Sequence, residues 1–99
     1  MAEDKLHKAR VDGARARALL ADETLQAAFE TLRKGYAERL LSTSVNETAA
    51  RETLYQAHRL VSEIERHLQY VLDNGKLADA ELQHMIQMSE ARKSWASVQ

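Results

Sequence analysis

The sequence predicts an all-α protein: an elongated antiparallel helical bundle of three to four helices with a long third helix, assembled as an oligomer. Three observations lead there. Proline is absent and glycine occurs only three times in 99 residues, so the residues that build the tight turns of β-folds are scarce. The aromatics are one Trp, three Tyr and one Phe, which leaves a core of Leu, Ile, Val, Met and Ala. Finally, apolar residues recur every three or four positions, the period of a helix with one buried face. An apolar content of 44% beside 29% charged residues suits a folded domain, and the length allows one.

Each segment has its own signature. The first, over residues 1–21, carries a stripe of small residues: Leu6, Ala9, Gly13, Ala16 and Leu20. Gly13 costs this helix about 1 kcal/mol relative to Ala. The second, over 23–42, starts from Asp22, whose carboxylate can cap the free N–H groups of the next turn. Leu25, Phe29, Leu32, Tyr36 and Leu40 then repeat at helical spacing. Ser42-Thr43-Ser44 breaks the pattern, and Ser44 with Glu47 three residues on reads as a capping box.

The strongest periodicity follows, over 45–74. Leu54, Ala57, Val61, Ile64, Leu68 and Val71 alternate spacings of three and four, the a/d pattern of a self-association seam. Asp73-Asn74-Gly75 reads as its end, with Gly75 in the left-handed position after the last turn. A final helix spans 79–95 with Leu82, Met85, Ile86, Met88 and Trp95 as apolar residues. A third helix of about 28 residues is about 42 Å long at 1.5 Å per residue. A compact globule of this chain length is only about 34 Å across. The long stripe is therefore expected to find cover in another subunit.

Composition excludes much chemistry. Without cysteine there is no disulfide, thiolate metal site or cysteine nucleophile. No Gly-rich phosphate loop and no Gly-x-Ser-x-Gly elbow occurs. Glu81-Leu82-Gln83-His84 is one copy of the helical Glu-x-x-His half-motif of di-iron bundles, which needs two copies and further glutamates. Glu63 and His67, four apart, could share a helix face. The expectation is no enzyme, no cofactor and no metal. No apolar run approaches a membrane span, and the opening MAEDKLHKAR lacks the apolar stretch of a signal peptide. A cytoplasmic protein is expected.

Two groups stand out as contact candidates. Lys5, Lys8, Arg10, Arg15 and Arg17 make a local basic cluster in a chain of net charge −1, suited to phosphates or an acidic partner. The overall balance argues against a domain that coats nucleic acid. Met85, Met88 and Trp95 suit a protein partner, since methionine adapts to irregular surfaces and tryptophan anchors interfaces.

The stretches Gly13-Ala14-Arg15-Ala16-Arg17-Ala18-Leu19-Leu20, Leu25-Gln26-Ala27-Ala28-Phe29-Glu30, Arg51-Glu52 and Gly75-Lys76-Leu77-Ala78 resemble small all-helical proteins encoded in the morphogenesis regions of tailed phages and prophages. The resemblance covers roughly residues 10–80 and carries no catalytic residues. It implies a phage assembly or binding protein in the virion, the packaging machinery or the connector, located in the host cytoplasm or the virion. Its partners would be copies of itself and another phage or host protein. The alternatives are a nucleic-acid-binding packaging or regulatory factor using the basic N-terminal helix, and an inhibitor of a host protein.

Overall fold

The computed structural model describes residues 2–98, with side chains over 2–95. It is all-α: α1 (Ala2–Ala21), α2 (Glu23–Ser42) and α3 (Thr48–Val98), with no strand among the described residues. The helices group into two compact units. One joins Met1–Ala16 to Tyr70–Gln99, and the other comprises Arg17–Gln69. α3 is 51 residues long and contributes to both.

In the unit Arg17–Gln69, a single residue separates α1 from α2. Asp22 takes an extended ψ of 118°, and its Oδ1 accepts from the Leu25 N–H at 2.8 Å. Such a cap stabilises a helix by about 1 kcal/mol. The Gln26 side-chain amide donates to the Leu20 carbonyl at 3.0 Å, satisfying one of the carbonyls that the end of α1 leaves open. α2 ends as its sequence predicts, at Ser42. There the Thr43 hydroxyl and N–H both donate to the Leu40 carbonyl, at 2.7 and 3.2 Å. Phe29 and Val61 are the buried large apolar side chains of this unit. The Arg33 guanidinium of α2 binds the Glu65 carboxylate of α3, both partly buried.

The buried face of α2 differs from the predicted stripe. Leu32 is exposed, while Arg33 and Ala37 turn inward with Phe29 and Tyr36. Arg33 holds that place because its aliphatic stem can lie on apolar surface while its head reaches Glu65. The capping box at Ser44 is also replaced. α3 begins at Thr48, after a turn in which the Glu47 N–H donates to the Ser44 carbonyl at 3.1 Å. The Ser44 hydroxyl donates to the Glu47 carboxylate at 3.3 Å rather than capping a backbone N–H. The intervening turn, not a Ser44 cap, thus sets the helix start.

In the unit of Met1–Ala16 with Tyr70–Gln99, the buried residues are Gly13 and Ala16 from α1 and Leu72, Gly75, Ala78 and Leu82 from α3. Here the structure corrects the sequence reading most clearly. No helix ends at Asp73-Asn74-Gly75 and no separate helix begins at 79; α3 runs through both positions. No glycine has a positive φ. Gly75 serves close packing instead. A Cβ at Gly75 would lie 2.7 Å from Gly13 Cα and 3.0 Å from the Ala9 carbonyl oxygen. A Cβ at Gly13 would lie 2.6 Å from Gly75 Cα. The two glycines let the backbones of α1 and α3 touch. The small-residue stripe of α1 thereby acquires its purpose: with Ala16 and Ala78 it forms a shallow seat for the crossing.

Candidate protein-contact surfaces

The predicted self-association seam is divided by the fold. Val61, near its centre, is only 6% exposed within the single chain. Leu54, Ala57, Leu68 and Val71 are half-buried, and Ile64 remains 47% exposed. Much of this stripe is therefore covered within its own chain, and Ile64 is its most open member.

The five basic residues of α1 are all exposed. Lys8 Nζ donates to Asp12 Oδ2 at 3.2 Å, and the Arg10 guanidinium lies 3.4 Å from His7 Nδ1. Lys5, Arg15 and Arg17 make no ion pair among the described residues. Helical geometry separates the cluster. Lys8 and Arg15 share one line along α1, and Arg10 and Arg17 share another, roughly 160° away at about 100° per residue. A phosphate backbone lying along one side of α1 would meet only part of the cluster, which weakens the case for an extended nucleic-acid face.

The C-terminal part of α3 is different. Every described side chain over 83–95 is exposed. Gly75, Ala78 and Leu82 mark the buried face. Leu77, Glu81, Met85, Met88, Arg92 and Trp95 follow one another at spacings of 4, 4, 3, 4 and 3. At about 100° per residue they fall on one arc, centred roughly 110° from the buried face. Leu77 is 69% and Trp95 71% exposed. Glu81 and Arg92 make no ion pair among the described residues. This is an outward apolar stripe with one acidic and one basic residue set into it. It unites Met85, Met88 and Trp95, which the sequence offers as partner contacts, with Leu77, Glu81 and Arg92, which it does not offer in that role. The helical spacing within 79–95 already aligns Glu81 and Arg92 with the methionines, whereas the expected helix end at Gly75 separates Leu77 from them.

A fourth surface lies at the α2–α3 turn. Leu40, Leu41, Thr48, Arg51, Glu52 and Tyr55 line an open groove of about 620 Å³, and Leu41 is 86% exposed. The signal in the sequence is the Leu40-Leu41 doublet, since adjacent helical residues cannot share one narrow buried face.

Glu81 and His84 are both exposed on α3, and no group of three or more His, Cys, Asp or Glu is placed to hold a metal ion among the described residues. Glu63 accepts from Arg59 at 3.3 Å. Among the described residues no helix is long and apolar enough to cross a membrane. Comparison with family models, with curated proteins and with solved structures finds no match.

Proposed function

We propose that this chain is a small assembly or binding protein of phage type, an antiparallel helical bundle that oligomerises and acts through contacts between helix faces. The observation that carries this reading is the outward stripe of α3, where Leu77, Met85, Met88 and Trp95 are exposed along one side of the helix. Exposed apolar residues scattered singly are ordinary; aligned on one face of a helix they mark a contact surface. The reading assigns the protein no reaction, cofactor or metal, and its location would be the host cytoplasm or the virion.

The division of the basic residues between two sides of α1 favours a protein partner over nucleic acid. An inhibitor of a host protein would use the same outward stripe, and the two roles separate by where the protein ends up. Mass spectrometry of purified virions is expected to detect the chain at a fixed ratio to the structural proteins. Its absence from virions and from assembly intermediates would overturn the assembly role.

A further inference from the structure

We propose that the outward stripe of α3 pairs with the same stripe of a second copy, antiparallel, about a twofold axis between Ile86 and Gln87. The proposal rests on the assembly reading above and names its first partner.

Met85, Met88, Glu81 and Arg92 lie symmetrically about that axis: Met85 and Met88 are one pair of positions and Glu81 and Arg92 the next pair outward. Placed antiparallel, Met85 meets Met88 of the second copy, and Glu81 meets Arg92 of the second copy. Each contact occurs twice because the axis repeats it. This a-against-d layering is the packing of two antiparallel helices. The same register brings Trp95 level with Leu77 and Ala78 of the second copy. The two most exposed apolar residues of the stripe then cover one another.

A parallel pair in register fails on charge. It would set Glu81 against Glu81 and Arg92 against Arg92, with like charges in the contact at both ends. The antiparallel pair turns both repulsions into two opposite-charge pairs. Exposed ion pairs contribute little affinity on their own, so their role is to fix orientation and partner. Burial of Leu77, the methionines and Trp95 supplies the association. The pairing also supplies neighbours for the part of α3 over 83–95, all of whose described side chains are exposed.

The test is sedimentation velocity on the full chain across a wide concentration range, with charge-reversed variants. Glu81→Arg alone sets Arg against Arg twice, and Arg92→Glu alone sets Glu against Glu twice. Each is expected to raise the dimer Kd roughly tenfold to a hundredfold. An equimolar mixture of the two variants restores both opposite-charge contacts, so a heterodimer near the wild-type Kd is expected. Both positions are exposed, and far-UV circular dichroism of the dilute variants checks that helicity is unchanged. A wild-type chain that stays monomeric at millimolar concentration overturns the proposal and the oligomeric part of the assembly reading together. A dimer indifferent to both substitutions, or no recovery on mixing, overturns this pairing and leaves self-association through another face.

Discussion

Replacing Gly75 by Ala sets two known effects against each other, and the structure decides the sign. Inside a helix, Gly→Ala is stabilising by about 0.8–1.0 kcal/mol from propensity alone. At Gly75 the new Cβ would lie 2.7 Å from Gly13 Cα, 3.0 Å from the Ala9 carbonyl oxygen and 3.4 Å from the Gly13 nitrogen. Carbon atoms pack at about 3.5–4.0 Å, so α1 and α3 must separate locally by roughly 1 Å. All three obstructing atoms are backbone, so no side-chain rotamer can relieve the clash. Separation also loosens the contacts of Ala16, Leu72, Ala78 and Leu82, the rest of the buried set of that unit. Overpacking of this kind costs about 1–3 kcal/mol. Set against the propensity gain, Gly75→Ala is expected to give a net loss of up to about 2 kcal/mol and no stabilisation. Gly35 in α2 is the control, because a Cβ there meets nothing within 4 Å. Gly35→Ala should stabilise by nearly the full propensity gain, about 0.8–1.0 kcal/mol. Urea titrations followed by circular dichroism, at one fixed protein concentration, read both as midpoint shifts at constant m-value. Gly75→Asn separates close packing from a helix end: a left-handed cap accepts Asn, whereas the crossing against Gly13 does not. Equal stabilisation by Gly75→Ala and Gly35→Ala, or a benign Gly75→Asn, would refute the close-packing argument.

Three other outcomes are expected. Val61→Asp buries a charge and should cost about 3 kcal/mol or more, whereas Ile64→Asp, at a half-exposed position, should cost under about 1 kcal/mol; thermal melts of the two variants give the comparison. A double-mutant cycle on Arg33 and Glu65 should return a coupling of about 0.5–1 kcal/mol that shrinks with added salt. Zero coupling at low salt would mean that this ion pair does not tie α2 to α3. Fluorescence anisotropy with labelled duplex DNA should show no binding at physiological salt, since the basic residues of α1 divide between two sides; tight, steeply salt-dependent binding lost with Arg15→Glu and Arg17→Glu would reverse the preference for a protein partner.

What the sequence disclosed followed the range of each interaction. The all-α class and both ends of α2 were legible because their causes are local. Asp22 caps three residues ahead, and the Ser-Thr-Ser break terminates the helix where the donors of Thr43 are observed. Gly75 was misread because its partner, Gly13, lies far away in the chain. An Asp-Asn-Gly tail on a helix carries a strong local cap signal, and only the contact with α1 reveals the other use of glycine. Arg33 was overlooked for a related reason: a count of apolar spacing favours Leu32, whereas the inward place of Arg33 depends on Glu65 of another helix. At the contact surfaces, Met85, Met88 and Trp95 were visible from residue type. Glu81 and Arg92 share the helical spacing of those residues within 79–95, whereas Leu77 joins the stripe only because α3 is unbroken. The basic cluster was visible as composition, and its division became clear only with the helix in place.

Trp95, the single tryptophan of the chain and 71% exposed, reports directly on whether the outward stripe of α3 is a contact surface. Its emission maximum and its quenching by acrylamide can be followed as the protein is concentrated. A blue-shifted, protected tryptophan is expected at high concentration and an exposed one on dilution, with a midpoint matching the dimer Kd from sedimentation. A spectrum and quenching constant that stay those of an exposed indole while the protein self-associates would contradict it.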